Sequence, residues 1–125
     1  MDRKYILSGL SYAVLGLLLG IAMAASHNHG QMVTHAHIML AGFVVSFFYG
    51  LCYKLWLNNA SGTLAKLQFY IHQLGVVILV VGLFLYYGNY VAQATMDPIL
   101  AVASIMVLMG MVLMTVLFVK APESA

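Results

Sequence analysis

The chain has 125 residues, of which 64% are hydrophobic and only 6% are charged, with a formal net charge of +2. A soluble domain of this size cannot bury that much apolar surface, so the composition predicts a single integral membrane domain over residues 1–125. No basic cluster suggests a nucleic-acid partner, and the single cysteine, Cys52, excludes both an intrachain disulfide and a covalently attached c-type haem.

Four apolar segments follow in chain order, and each is close to the ~20 residues that cross a bilayer as a helix. We therefore predict an all-α, four-helix transmembrane bundle with spans at about 5–25, 33–57, 64–87 and 98–119. The first segment ends near Ala22-Met23-Ala24, which resembles a signal-peptide cleavage site, but the apolar run is long for a signal and we predict a retained span. In the last segment, Asp97 is expected to cap the helix and Pro98 to lie in its first turn.

Charged and aromatic residues predict the orientation of the spans. All five basic residues fall on one side of a four-span arrangement: Arg3, Lys4, Lys54, Lys66 and Lys120. Because cytoplasmic loops carry an excess of Lys and Arg, that side and both termini are predicted to be cytoplasmic. The expected aromatic belts are Tyr86, Tyr87 and Tyr90 at the outer interface and Tyr53 and Trp56 at the inner one.

Residues 34–50 read THAHIMLAGFVVSFFYG and place His35 and His37 one residue apart at the outer end of the second span. Side chains two positions apart on a helix diverge by ~200°, so these two cannot bind one metal ion together. Zinc motifs place helical histidines at i and i+4 for that reason. The spacing indicates two separate sites on opposite faces. Gly42 and Ser46, on the side of His35, would leave room for a flat ligand, or else for a closely packed helix.

Three further histidines are weaker candidates for ligands. His72 lies on the third span and could border a porphyrin, but it is roughly 15–20 Å deeper than His37, so we expect a hydrogen bond to a carbonyl or to a polar group such as Gln73 instead. His27 and His29 lie in the first outer loop. With His35 they could bind copper or zinc, which imidazole suits, or they could simply be solvated.

The stretch THAHIMLAGFVVSFFYG resembles the His-x-His helix of subunit I of the haem–copper oxidase superfamily, and His35 and His37 match its two histidines. In that family the two histidines serve two different haems on opposite faces of one helix. The family's subunit consists of three similar four-helix arcs, with the motif on the second helix of its unit. The resemblance therefore implies that this chain corresponds to one third of that core and forms a homotrimer. The chain also resembles small four-span proteins that are grouped with the family.

Other features of the oxidases are missing from the sequence. There is no His-x-x-x-Tyr motif, and the third span has only His72. No carboxylate lies inside a predicted span, because Asp2, Asp97 and Glu123 are at or beyond the helix ends. Oxygen reduction and proton pumping are therefore not expected, and no enzyme activity is assigned.

Together these features predict a b-type haem protein of the bacterial inner membrane that transfers electrons or stores or senses haem. Each non-covalent haem b would lie between protomers, with His35 of one chain and His37 of the next as its axial ligands. The expected partners are the bilayer, other copies of the chain and a redox partner that the sequence does not name. One alternative is a copper-binding assembly or transport factor that uses His27, His29, His35 and His37. A purely structural small subunit is the third possibility.

Overall fold

A computed structural model describes residues 1–122, and all regular secondary structure in this range is helical. Helix α1 is Asp2–Ser26, α2 is Met32–Leu55, α3 is Thr63–Tyr87 and α4 is Gln93–Lys120. All four are long and apolar enough to cross a membrane. The prediction of an all-α chain with four candidate spans is therefore confirmed. Glu123 lies outside the described residues.

Helix α4 begins earlier than the sequence predicted. It starts at Gln93, so Asp97 and Pro98 lie inside the helix rather than at its cap and first turn. Because proline has no amide hydrogen, the carbonyl of Ala94 loses its usual intrahelical donor. Ala94 is exposed at the outer end of the helix, where such a carbonyl is not enclosed by protein. A second-turn proline is tolerated there, and the prediction of an Asp97 cap was wrong.

Helix α2 is not a regular α-helix. A π-helical segment, Ile38–Val44, separates two α-helical parts, and the amide of Val45 donates to the carbonyl of Leu40, five residues back. Buried positions in α2 recur every four residues: Thr34, Ile38, Gly42, Ser46 and Gly50. In an α-helix of 3.6 residues per turn this row would rotate by about 40° at each step. The wider π turn reduces that rotation and keeps the row on the buried side.

The helices form two closely packed pairs, with α1 along α2 and α3 along α4, and the pairs meet through α2 and α3. Glycines allow the close approach. A Cβ placed on Gly9 would lie 3.2 Å from the backbone oxygen of Phe43, and one on Gly75 would lie 2.9 Å from the Cβ of Met106. Small residues at helix contacts are the usual route to tight packing in a bilayer, where helices gain little from the hydrophobic effect.

A buried hydrogen-bond cluster joins all four helices in the half of the bundle that holds the first residues of α1. The Oε1 atom of Gln68 accepts hydrogen bonds from the hydroxyls of Tyr5 at 2.5 Å and Tyr53 at 3.0 Å. Its Nε2 donates to the carbonyl of Gly110 at 3.2 Å. Tyr53, which we expected in the inner aromatic belt, is instead fully buried, because its hydroxyl reaches Gln68 in the interior. Polar groups thus connect helices that apolar contacts alone would leave free to slide.

Replacing Gln68 with leucine should destabilise the protein by about 1–3 kcal/mol, because the hydroxyls of Tyr5 and Tyr53 lose their buried acceptor. Unfolding in mixed micelles of increasing denaturing-detergent content measures the change. The triple variant Tyr5→Phe, Tyr53→Phe and Gln68→Leu is the control, since removing both sides of each hydrogen bond should recover most of the loss. A Gln68→Leu protein with wild-type stability would show that the cluster contributes nothing.

Candidate functional site

His35 is partly buried where α2 crosses α1. Its Nδ1 lies 2.8 Å from the carbonyl oxygen of Gly16 on α1. A carbonyl can only accept a hydrogen bond, so Nδ1 must carry the hydrogen and donate it. In the neutral ring this leaves a lone pair on Nε2. The contact between the two helices therefore selects one tautomer of His35 and presents Nε2 as a ligand atom.

His37 presents the same atom by a different route. Its Nδ1 donates to the carbonyl oxygen of Val33, one turn earlier on the same helix, at 2.9 Å. The side chains that follow on this side of α2 are exposed, among them Leu40 at 61%, Val44 at 48% and Phe48 at 59%. His37 thus belongs to the outward surface of α2, whereas His35 belongs to the contact with α1. The two rings take partners on different sides of the helix, as their spacing predicts.

Neither imidazole has a protein partner for Nε2 within residues 1–122. A ring whose Nδ1 is held by a carbonyl and whose Nε2 is free is typical of histidines that ligate a metal, because the held hydrogen fixes both tautomer and orientation. In a low-dielectric region an unpaired acceptor is also unfavourable. Each ring therefore leaves Nε2 as a lone-pair nitrogen without a protein partner in the described residues.

The expected room beneath His35 is not there. The ring of Tyr12 from α1 fills the notch at Gly42, so that a Cβ on Gly42 would lie 2.7 Å from Cγ of Tyr12. Ser46 is fully buried and faces His72 instead. The π segment places both small residues in the buried row, where α1 and α3 pack against them. Gly42 and Ser46 therefore serve helix packing, and the prediction that they leave space for a haem was wrong.

His72 is fully buried among the helices. Its Nε2 lies 3.3 Å from Oγ of Ser46, and its Nδ1 has no hydrogen-bond partner in the described residues. The polar partner of His72 is thus Ser46 rather than Gln73, the example we gave. Gln73 donates to Ser46 at 3.4 Å and accepts from the hydroxyl of Tyr12 at 2.8 Å. It therefore reaches His72 only through Ser46.

The depth of His72 separates it from the two outer histidines. It lies level with Ser46, which is eleven positions after His35 on α2. At 1.5 Å per residue the separation along the helix is about 15 Å. The structure therefore does not bring His72 together with His35 or His37. Because the two axial ligands of one haem lie at nearly the same depth, His72 cannot share a haem with either histidine of the same chain.

His27 and His29 do not join a metal site in this chain. Both are exposed, and His27 ends α1 in the left-handed conformation, with φ 56°. Among residues 1–122, no three His, Cys, Asp or Glu side chains come together in a way that could hold a metal ion. The copper set predicted from His27, His29, His35 and His37 is therefore not assembled within one protomer.

Sequence reasoning missed the buried tyrosines and glutamines that surround His72. Their signal was present, since Gln68, His72 and Gln73 place three polar residues within six positions of an apolar span. Gln68 and His72 are four apart and so share a helix face. Polar groups at that depth are expensive and need partners, which Tyr5 and Tyr12 supply from α1.

A groove of about 560 Å³ lies between the inner halves of α2 and α4. Its walls are almost entirely apolar and include Tyr49, Cys52, Met111, Met114 and Phe118. No histidine lines it, so it does not provide a histidine-held haem site within one chain.

No family model, curated protein or solved structure matches this chain. The class of protein that the fold and the site define is thus a small, four-helix, multi-pass membrane protein whose second helix carries two imidazoles, one packed against α1 and one on the other side of the helix.

Proposed function

We propose that this chain is a b-type haem-binding protein of the bacterial inner membrane that transfers electrons or stores or senses haem, without reducing oxygen. His35 and His37 would hold the haem through Nε2. When bound between two histidines, such a haem has no open coordination position and suits one-electron transfer. The resemblance of THAHIMLAGFVVSFFYG to the haem-binding helix of the haem–copper oxidases supports the same interpretation.

The hydrogen bonding of His35 and His37 is the observation that carries this proposal. Both rings donate their Nδ1 hydrogen to a backbone carbonyl, at 2.8 Å for His35 and 2.9 Å for His37, and so leave Nε2 without a protein partner in residues 1–122. This is the tautomer that ligation through Nε2 requires. The absence of a three-residue metal group in residues 1–122 leaves the copper alternative without a comparable observation.

The proposed assembly is a homotrimer with haem between its protomers. One chain cannot offer both histidines to one iron, because their side chains diverge by ~200°. They lie only ~3 Å apart along the helix axis, so His35 of one chain and His37 of a neighbour can face each other at one depth. A head-to-tail contact of this kind closes as a ring, and three copies would reproduce the three-arc layout of the family it resembles.

The test is to purify the protein from cells supplied with ample haem. We expect sharp Soret and α bands and complete extraction of the chromophore into acidified acetone, because nothing in the chain can attach haem covalently. Elemental analysis of the same sample distinguishes the alternative, in which copper is bound instead. A colourless protein that contains neither haem nor copper would refute both and leave the purely structural subunit.

The orientation gives a separate prediction. Reporter domains that are active only outside the cytoplasm should be inactive at either terminus and active when inserted after Gly30 or after Ala92, in the two loops opposite the basic residues. Paired reporters that are active only in the cytoplasm should give the reverse pattern. An external C-terminus would contradict the orientation, and termini on opposite sides of the membrane would contradict the four-span arrangement.

A further inference from the structure

We infer that helix α1 positions the His35 ligand, and that Gly20 is a positioning residue of the haem site. This inference rests on the proposed function for its spectroscopic test, but the geometry behind it does not depend on haem. In the sequence, Gly16-Leu-Leu-Leu-Gly20 is typical of a GxxxG helix-packing step. In the structure this step is where the imidazole of His35 lies.

The ring of His35 spans one turn of α1. Its Nδ1 donates to the carbonyl of Gly16 at 2.8 Å. A Cβ placed on Gly20 would lie 3.1 Å from Cε1, 3.6 Å from Nδ1 and 3.9 Å from Nε2 of the same ring. In a helix the carbonyl of Gly16 normally accepts from the amide of Gly20, and its second lone pair remains for the imidazole. Gly16 therefore supplies the hydrogen-bond acceptor, and Gly20 leaves the space that the imidazole ring occupies.

The two ligands consequently differ in what holds them. His37 donates to Val33 on its own helix, so its orientation moves with α2 alone. His35 depends on a second helix, so any shift of α1 against α2 changes the direction of its Nε2 while leaving His37 untouched. A side chain at Gly20 should therefore disturb one axial ligand of each haem and spare the other.

The test compares Gly20→Ala and Gly20→Leu with Gly82→Ala. Gly82 is the matched control, because its Cβ would meet the side chain of Leu100 on α4 at 2.8 Å, away from the α1–α2 contact, and none of its nearest atoms belongs to a histidine. In the wild type, ferrous haem should not bind carbon monoxide, since both axial positions are occupied. We expect Gly20→Leu to keep its haem on His37, to lose the six-coordinate spectrum and to bind carbon monoxide at most sites. Gly20→Ala should lose six-coordinate haem in part, and Gly82→Ala should not lose it.

A second measurement needs no haem. Nitrogen NMR of the haem-free protein, with the other histidines replaced one at a time to assign the signals, should show His35 as the Nδ1–H tautomer. Gly20→Ala and Gly20→Leu should convert it to a mixture of tautomers, and Gly82→Ala should not. If the wild type binds no haem but the NMR result holds, the proposed function fails and the positioning role stands. A Gly20→Leu protein with six-coordinate haem that does not bind carbon monoxide, or an unchanged tautomer in both Gly20 variants, would overturn the inference.

Discussion

His35→Ala and His37→Ala should each abolish six-coordinate haem at every site of the assembly, and co-expression of the two variants should restore part of it. Each proposed site takes one ligand from each of two neighbouring chains, so a uniform population of either variant has no complete site. In a randomly mixed ring, a chain that retains His35 precedes one that retains His37 at about one site in four. If both ligands of each haem came from one chain, mixing the two variants would restore no six-coordinate haem.

The measurement is the low-spin absorption per chain in the two single variants and in the mixture. His72→Ala is the control, because His72 is buried about 15 Å deeper and its Nε2 faces Ser46. This variant should keep its low-spin haem even if it loses stability. A low-spin spectrum that survives His35→Ala would place the ligand pair elsewhere, and His72 would be the next residue to test.

Gly75→Leu should prevent α3 and α4 from packing and leave little folded protein. A Cβ at Gly75 would lie 2.9 Å from the Cβ of Met106, 3.2 Å from the amide nitrogen of Val107 and 3.3 Å from the carbonyl oxygen of Ala103. Two of these atoms belong to the backbone and cannot move away by a change of side-chain rotamer, so the helices must separate. Overpacking a close contact costs about 1–3 kcal/mol, and a leucine at a backbone contact lies at the upper end of that range.

Thermal unfolding in detergent, followed by size-exclusion chromatography, measures this loss. Gly62→Leu is the matched control, since no atom lies within 4 Å of a Cβ placed on Gly62, the exposed N-cap residue of α3. It should lower the melting temperature much less than Gly75→Leu, because it changes only the helix cap. A Gly75→Leu protein that melts like the wild type would show that the α3–α4 contact is not as tight as the structure describes.

The four helices could be predicted because length and hydropathy are local properties of the chain. Each apolar run is long enough for a span, and α3 begins and ends within one residue of the sequence-based bounds of 64–87. The start of α4 could not be predicted in the same way. Asp97 and Pro98 form a strong local start signal, but the residues before them continue the helix back to Gln93.

The π segment of α2 has no comparable sequence signal. Within it, Gly42 packs against the ring of Tyr12 on α1, and predicting that contact requires knowing how α1 is rotated. The unknown rotation of α1 also explains why the partner of His35 could not be predicted from the sequence. The divergence of His35 and His37 follows from helical spacing alone, whereas the carbonyl of Gly16 as partner of His35 depends on a second helix. Local geometry predicts where side chains point, and tertiary packing decides what they meet.

Native mass spectrometry of the purified, haem-loaded particle tests most directly whether haem lies between protomers. We expect a closed ring of three chains that carries three haems, and loss of one chain in the gas phase should leave a dimer with a single fully ligated haem. A monomer that retains a full complement of six-coordinate haem would contradict the proposed arrangement.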